Sequence, residues 1–321
     1  MSPVPPAIIR SLPFSSSNVH AHLEPSSSGF TNTSTLHLKF LKDDGQPEER
    51  KYFLKTSGDG EASKEMFRGE YESLNAIANA VPGFCPRALA WGRVDEYGDA
   101  SKSAEYFLVT EFLELKGTMR RTPIDEQSPS SLASRLGKLH STPAPPDPGT
   151  ERNRYGFSVP TFCGDTRQPN KFYDSWADFY ANERLLMILA ASERQNGKDA
   201  VLRDLVEQTA RQIVPRLLGD KHLGYKSDGK GDGIKPVIVH GDLWSGNADR
   251  GFIAGIDQEK NSPVVDLVYD PCACHAHSEY DLGIMRMFGG FGGDFFENYH
   301  KVVPKTDPVK EYKDRLELYE L

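Results

Sequence analysis

The stretch VIVHGDLWSGN, from Val237 to Asn247, begins with an apolar run and continues into polar residues. The run predicts a buried strand, and the residues after it, here called the HGD loop (240–247), predict a loop presenting His240, Asp242 and Asn247. A second apolar run ends at Asp270, 23 residues after Asn247. Phosphoryl transfer from ATP needs a carboxylate that accepts a hydroxyl proton, and an amide and a second carboxylate that hold Mg²⁺. The spacing therefore predicts kinase chemistry, with Asp242 as catalytic base and Asn247 and Asp270 as Mg²⁺ ligands.

Two other aspartates compete with Asp270 for the metal-binding role, because Asp257 and Asp266 also end apolar runs. Asp270 is preferred, since the predicted strand Val264–Tyr269 leads to it without a break and Pro271 then stops the strand. Asp257 is expected in a hairpin turn instead.

The histidines and cysteines near these motifs are interpreted as structural. His240 is expected to pack the HGD loop and to hydrogen-bond backbone near the metal-binding aspartate. The segment CACHAH, from Cys272 to His277, contains four potential zinc ligands. Ligands crowded into six residues cannot wrap one ion, so we interpret the segment as the entry to a helix below Asp270.

Composition excludes several classes of function. The chain has 321 residues, 38% of them hydrophobic and 26% charged, as in ordinary globular proteins. A net charge of −8 argues against nucleic acid or an anionic membrane as the main partner. The sequence has no membrane-spanning apolar run, its start (MSPVPPAIIRSLPF) lacks the uninterrupted apolar region expected of a signal peptide, and its four cysteines are scattered. We therefore expect a cytoplasmic protein in a reducing environment.

The first third of the chain predicts an antiparallel sheet with one helix on it. Thr35–Leu41 alternates apolar and polar residues, and Lys51–Lys55 returns after a polar turn, which is typical of a hairpin. Ala62–Asn79 has apolar residues at helical spacing. Tyr106–Phe112 is a predicted buried strand.

The rest of the chain is mainly helical in pattern. The predicted helices are Ser130–His140, Asp174–Ala191 (with an N-cap at its start), Ala200–Leu218 and Ser278–Phe288. This order predicts an α+β, bilobal protein-kinase-like fold, with a small antiparallel β-rich N-lobe carrying one helix (residues 1–113). The larger C-lobe (residues 114–321) is mainly α-helical, and the connector is expected near Glu111–Gly117.

ATP-binding residues are predicted in the N-lobe. Lys55 ends a strand and lies 15 residues before Glu70 on the predicted helix. A strand lysine held by a helix carboxylate and touching the α- and β-phosphates is the arrangement that kinases use. Glu65 and Glu72 are the rival partners of the lysine, on different faces of the helix.

The adenine and phosphate contacts have weaker signals. The backbone of Glu111, Phe112 and Leu113 is expected to hydrogen-bond adenine. The phosphate-covering loop is limited to Ser26–Phe30 and Thr31–Ser34, with one glycine, although small hydroxyl residues still let backbone N–H groups approach phosphates.

These motifs together resemble the fructosamine/ketosamine-3-kinase family, which belongs with the aminoglycoside phosphotransferases in the protein-kinase-like fold. The likeness covers about Lys55 to Pro304. It rests on HGDLWSGN (His240–Asn247), Asp270-Pro271, HSEYDL (His277–Leu282), MFGGF (Met287–Phe291), MFRGEYESL (Met66–Leu74), LGKLH (Leu136–His140) and YGF…TFCG (Tyr155–Gly164), and continues through Gln168, Asn170, Trp176, Phe179 and Arg184.

The resemblance implies ATP-dependent phosphorylation of the sugar O3 in ketosamines. The substrates would be ribulosamine or fructosamine on lysine, in glycated proteins or as free ketosamines, and the unstable 3-phosphate would release the amine as a deglycation repair. Asp242 would deprotonate O3, and Lys55 with Mg²⁺ would neutralise the phosphates. Trp244 is expected at the acceptor site. The resemblance also implies one or two helices beyond the position where this chain ends, at Leu321.

Two rival functions stay open at this stage. One is a small-molecule kinase acting on an aminoglycoside or a sugar, because an acidic chain suits either cationic ligand. The other is a nucleotide-binding pseudokinase scaffold, which is disfavoured because Lys55, Asp242, Asn247 and Asp270 are all present.

Overall fold

The computed structural model describes residues 4–13, 19–26, 31–41, 45–95, 104–117, 128–254 and 263–321. Within them the strands are β1 (His20–Ser26), β2 (Asn32–Leu41), β3 (Pro47–Ser57), β4 (Ala88–Arg93), β5 (Tyr106–Gly117), β6 (Thr161–Cys163), β7 (Thr166–Gln168), β8 (Val237–Val239), β9 (Ala248–Ala254), β10 (Val265–Val268) and β11 (Cys274–Ala276). The α-helices are α1 (Pro6–Ser11), α2 (Glu61–Ala80), α3 (Leu132–Ser141), α4 (Trp176–Phe179), α5 (Met187–Asn196), α6 (Ala200–Gln208), α7 (Val214–Leu218), α8 (Tyr280–Phe288), α9 (Phe295–Val302) and α10 (Tyr312–Tyr319). Single π-helical segments join α4 to α5 (Tyr180–Leu186) and α6 to α7 (Thr209–Ile213), and a 3₁₀ turn (Val309–Glu311) precedes α10.

One antiparallel sheet contains the strands of the first third of the chain together with the later strands β9 and β10. Its order is β1-β2-β3-β5-β9-β10, with β4 paired to β5. The predicted hairpin forms, because β2 and β3 pair with Leu36 opposite Tyr52. The alternating residues Leu36, Leu38 and Phe40 are buried in a small core. The predicted helix is α2, and it packs against β4, β5 and β6.

Strand β5 is longer than the predicted strand Tyr106–Phe112, because it continues to Gly117 through the segment expected to hold the connector. Its first half pairs with β3 and β4. Its second half pairs with β9, with Phe112 opposite Ala254. A strand edge leaves unpaired backbone groups, and β9 satisfies them here. The local sequence did not indicate this, since the partner strand follows the HGD loop much later in the chain.

The helical part is built around Trp176, which is fully buried. The indole stacks on Phe179 and donates a hydrogen bond to the Tyr319 hydroxyl at 2.8 Å, so α4 is fastened to α10. The N-cap lies one residue later than predicted, because the Ser175 hydroxyl, rather than the Asp174 carboxylate, accepts the Asp178 amide, and the helix begins at Trp176. Among the described residues, no helix is long and apolar enough to cross a membrane.

The segment Cys272–His277 does not lead straight into a helix, contrary to the prediction. Cys274–Ala276 forms β11, which pairs with β8, and α8 begins only at Tyr280. Both strands are buried throughout, so their sequences show none of the alternation that marks a half-exposed strand. The pair places the start of the HGD loop against the segment that follows Asp270.

Candidate active site

The backbone at the start of the HGD loop is held in place by a buried carboxylate. Asp281 on α8 accepts the backbone amides of His240 and Gly241 at 2.7 and 2.8 Å, and His140 Nε2 lies 3.2 Å from it. Burial opposes the charge of Asp281, but the hydrogen bond from His140 and the nearby loop amides hold its pKa below the ordinary value. Gly241 has a φ of +85°, and a Cβ there would lie 2.2 Å from the Cys272 carbonyl oxygen. The loop therefore needs glycine at this position.

His240 occupies the structural position that the sequence predicted. Its Nε2 donates to the Tyr269 carbonyl oxygen at 3.0 Å, and its Nδ1 accepts the Asp242 amide at 3.3 Å. Burial lowers the pKa of the imidazole. The neutral ring thus links the HGD loop to the backbone immediately before Asp270.

Asp242 and Asn247 lie side by side in the loop. The Asn247 side-chain amide donates to the Asp242 carbonyl oxygen at 2.8 Å and to its Oδ2 at 3.2 Å. Burial raises the pKa of Asp242 to about 6, although hydrogen bonds from Cys163 and Asn247 act in the opposite direction. A carboxylate with a pKa slightly below neutral is suited to general-base chemistry.

Lys55 joins the sheet to the residues of the second half of the chain. Its Nζ lies 2.8 Å from Glu70 Oε1 and 2.8 Å from Asp270 Oδ1. Burial disfavours the lysine charge, yet the two carboxylates raise its pKa above the ordinary value. Of the rival helix carboxylates, Glu65 instead pairs with Arg167. Lys55, Glu70 and Asp270 therefore form one ionic cluster, in which Lys55 and Glu70 are largely buried and Asp270 is half-exposed.

The alternative aspartates do not join this cluster. Asp266 is buried and accepts Arg250 Nε at 2.8 Å and the Leu132 amide at 2.7 Å, which secures β10 to β9 and to the start of α3. Asp257 lies outside the described residues. Asp270 follows β10 with a φ of +56°, a left-handed conformation that is uncommon for a non-glycine residue. This turn directs its carboxylate to Lys55.

Two adjoining cavities form a continuous cleft over these residues. The first, of about 380 Å³, is lined by the three predicted adenine-contacting residues Glu111, Phe112 and Leu113 among apolar neighbours. The second, of about 330 Å³, is lined by Lys55, Asp242, Trp244, Asn247 and Asp270. Phe53, Glu70 and Asp270 border both.

The rim of the cleft differs in one respect from the expected contacts. The Glu111 amide already donates to the Arg87 carbonyl oxygen at 2.9 Å, so it is not free for a ligand. In the phosphate-covering segment, Gly29 lies outside the described residues, whereas Thr31 and Thr33 line the second cavity.

Trp244 forms an exposed wall of the second cavity. The residue is 41% exposed, and its ring centroid lies 6.0 Å from that of Phe288. A Cβ at Gly246 would lie 2.1 Å from the indole, so glycine is required for the ring to fold back across the loop. The aromatic surface is open to a ligand beside Asp242.

The donor set fits Mg²⁺ in its usual mode. Among the described residues, no group of three or more His, Cys, Asp or Glu side chains could hold a metal ion alone. Mg²⁺ in phosphoryl-transfer sites is bound by one or two protein oxygens together with phosphates and waters. The Asn247 amide nitrogen is turned to Asp242, so its carbonyl oxygen is available to a cation. Asp270 supplies a half-exposed carboxylate on the same cavity.

Sequence reasoning missed two residues of the site. Asp281 shares α8 with the buried Leu282 and Met285, and an acid among buried residues is a signal that could have been used. Cys163 contacts Asp242 from the β6–β7 hairpin, and nothing in its local sequence indicates this.

Comparison with known proteins agrees with this geometry. The sequence model of the fructosamine kinase family matches residues 28–321. Ketosamine-3-kinase from Mus musculus is 30% identical over 281 residues, covering 85% of this chain and 81% of the mouse protein. A chloroplastic protein-ribulosamine 3-kinase from Oryza sativa subsp. japonica is 29% identical over 268 residues, covering 84% of this chain and 65% of the rice protein.

Solved structures share the fold. A Thermobifida fusca protein assigned as a fructosamine-3-kinase superposes with a TM-score of 0.64 at 20% identity, covering 98% of this chain and 88% of that one. A Haemophilus somnus protein with the same assignment gives 0.60 at 20% identity, covering 94% and 83%. The fold is thus kinase-like, with an antiparallel sheet and helices. The chain belongs to the fructosamine kinase family.

Proposed function

We propose that this protein transfers the γ-phosphoryl group of ATP to the sugar O3 of ketosamines. The observation that carries the proposal is the meeting of Asp242, Asn247, Asp270 and the Lys55–Glu70 pair around one cavity. Membership of the fructosamine kinase family supports ketosamines as the acceptor class.

The residues of the cleft divide into nucleotide and acceptor roles in this proposal. Adenine occupies the cavity beside Glu111, Phe112 and Leu113, and the phosphates reach Lys55, whose charge is held by Glu70. Asn247 and Asp270 hold Mg²⁺, which when bound neutralises phosphate charge. Preorganised charges of this kind stabilise the phosphoryl group in transit without further reorganisation.

Asp242 is the proposed base, and Trp244 the proposed acceptor wall. Asp242 accepts the O3 proton, and its raised pKa makes it both ionised at neutral pH and sufficiently basic. Trp244 offers an exposed aromatic face on which the apolar side of a sugar or a lysine stem can pack.

Three wider features belong to the same proposal. The chain divides into an N-lobe (residues 1–113) and a C-lobe (residues 114–321), a boundary that falls inside β5. The acceptors include ketosamines on lysines of glycated proteins, so that the reaction leads to deglycation. The protein acts in the cytoplasm.

ATP consumption with defined acceptors tests the function. We expect turnover with ribulosyl-lysine or fructosyl-lysine, loss of turnover in Asp242→Asn, and a product phosphorylated at O3 by NMR. An aminoglycoside serves as the comparison acceptor. Turnover on the aminoglycoside with none on either ketosamine would reject the proposed acceptor, and ATP binding without any turnover would indicate a scaffold.

A further inference from the structure

Two aromatic side chains, here called the aromatic pair (Trp244 and Phe288), extend the second cavity towards solvent. The Trp244 ring lines that cavity together with Asp242. Its centroid lies 6.0 Å from that of the Phe288 ring, and the two ring planes are inclined at 52°. Phe288 is 60% exposed and its neighbour Met287 is 51% exposed. Contiguous apolar surface beside a cavity is typical of a place where a ligand binds.

The helix that carries Phe288 is fixed at both ends relative to the HGD loop. Asp281, in the first turn of α8, accepts two backbone amides at the start of that loop. A Cβ at Gly283 would lie 2.6 Å from the Tyr319 carbonyl oxygen, so α8 also packs closely against α10. Phe288 follows Asp281 by seven residues, and its ring contacts Trp244 at the far end of the helix. The position of the aromatic pair beside the loop is therefore set by a packed helix.

The chain turns directly after Phe288 and leaves its ring outside the core. Gly289 and Gly290 have left-handed φ angles of +62° and +96°, a conformation that glycine adopts without strain. The Gly289 amide donates to the Met285 carbonyl oxygen and ends the helix. Met285 is buried in the main core and Phe291 packs against it, whereas Phe288 does not belong to it. The exposed ring thus lies between two residues that the core holds.

The proposed acceptor has a part that such a surface can bind. A ketosamine carries its amine on C1 of the sugar, close to O3, and on lysine the amine continues as a stem of about four methylene groups. The protonated amine is repelled by Lys55 and by a bound cation, whereas the faces of aromatic rings attract it. The stem is apolar and packs favourably on rings. With O3 at Asp242, the aromatic pair offers the amine and the stem both interactions.

We propose that Phe288 is a specificity-determining residue, which together with Trp244 binds the charged amine and the alkyl stem of the acceptor. This role rests on the acceptor class proposed above and assigns a site to the part of the acceptor beyond the sugar. It implies a preference for ketosamines on long amines over ketosamines on short ones. Because both rings are exposed, a stem bound there can belong to a lysine of a protein chain.

Ketosamines of one sugar on methylamine, pentylamine and lysine separate the stem from the sugar, because all three keep a secondary amine. We expect kcat/KM of the wild type to be about tenfold higher for the pentylamine and lysine adducts than for the methylamine adduct, the lower end of the discrimination that an apolar contact provides. Phe288→Ala should reduce this ratio to about twofold, and Phe288→Tyr, which keeps the ring, should retain it. Leu205→Ala, at a 58% exposed residue on α6 that lines neither cavity of the cleft, is the matched control and should retain it too. A wild-type ratio that persists in Phe288→Ala overturns the proposal.

A binding measurement without phosphoryl transfer separates this site from the proposed function. Pentylamine, which has the charge and the stem but no sugar, is titrated while the Trp244 indole N–H is followed by ¹⁵N NMR, assigned by its absence in Trp244→Phe. We expect saturable shifts in the wild type and in Phe288→Tyr, and about two- to fivefold weaker binding in Phe288→Ala. Equal binding in Phe288→Ala, or no shift in the wild type, rejects the stem site. The expected shifts in a protein that phosphorylates no ketosamine would uphold the stem site and reject only the proposed function.

A second copy of the chain is the other occupant that the aromatic pair could take. We expect the wild type and Phe288→Ala to have the same sedimentation coefficient at equal concentration. A dimer that becomes a monomer in Phe288→Ala would assign the rings to an interface between copies and overturn the acceptor contact.

Discussion

At the scale of single residues, the environment of Asp242 determines how activity depends on pH. Burial raises its pKa to about 6, so the carboxylate is charged above that pH and protonated below it. Only the charged form accepts a proton, so kcat/KM for the ketosamine should be level at neutral pH and fall tenfold per unit below about pH 6. Initial rates between pH 5 and 8 check this.

Asp242→Asn should lower kcat by about 10²–10⁴-fold, the usual contribution of a general base, and an Asn variant with near-normal kcat would contradict the assignment.

The ionic cluster around Lys55 allows a matched comparison of two glutamates on one helix. Glu70→Gln removes a carboxylate that holds the buried Lys55, whereas Glu65→Gln breaks only an exposed pair with Arg167. We expect Glu70→Gln to reduce kcat/KM for ATP by about 10²-fold, because a charge that stabilises the transferring group loses its support. Glu65→Gln should change it by less than about threefold, since exposed ion pairs contribute little. Equal effects in rate measurements against ATP concentration would place the phosphate contact elsewhere.

At the scale of elements, the approach of α2 to the β6–β7 hairpin leaves no space for a side chain. Alanine in a helix is normally up to about 1 kcal/mol better than glycine. At Gly69, however, the new methyl would meet the Pro160 backbone at 2.5 Å, so overpacking should lower the free energy of unfolding by about 1–3 kcal/mol. Gly58→Ala is the control, because a Cβ there meets nothing within 4 Å. Urea denaturation of both variants checks the prediction, and a Gly69→Ala protein as stable as the control would refute close packing here.

The elements also show which parts of the fold a sequence reveals. The HGD loop, Asp270 and the Lys55–Glu70 pair were predicted because each combines a local periodicity with a chemically specific residue. The pairing of β9 with β5 was not predicted, since it joins segments that are distant in the sequence. It depends on which strand edge of the sheet is left without a partner. Cys163 was missed for the same reason, because its contact with Asp242 comes from a hairpin that only tertiary packing places there.

At the scale of the whole molecule, a buried ion pair fastens the C-terminal helix to the catalytic half. Arg315 on α10 is fully buried and contacts Glu279 at 2.7 and 3.1 Å, and its Nη1 also donates to the Pro308 carbonyl oxygen. Removing one partner leaves an uncompensated buried charge, so Arg315→Met should lower the free energy of unfolding by about 3–5 kcal/mol. Lys301→Met, at an exposed pair with Glu297, should cost less than about 1 kcal/mol.

A double-mutant cycle checks the origin of that loss. Adding Glu279→Gln to Arg315→Met removes the orphaned carboxylate, so the double variant should be more stable than the sum of the two single losses predicts. Strictly additive losses in denaturant titrations would mean that the two side chains contribute through packing rather than through charge.

The length of β5 determines which segments of the chain a bound nucleotide stabilises. One continuous strand carries the residues beside the first cavity and also holds β9, which follows directly from the HGD loop. A ligand that binds only the folded form suppresses the openings that expose its surroundings to solvent. Nucleotide binding should therefore slow amide hydrogen exchange in β9 as much as in β3, which pairs with the first half of β5. The effect in β9 would occur although the nucleotide does not touch that strand. Through β5, a nucleotide bound in the first cavity would therefore stabilise the HGD loop at the other end of the cleft.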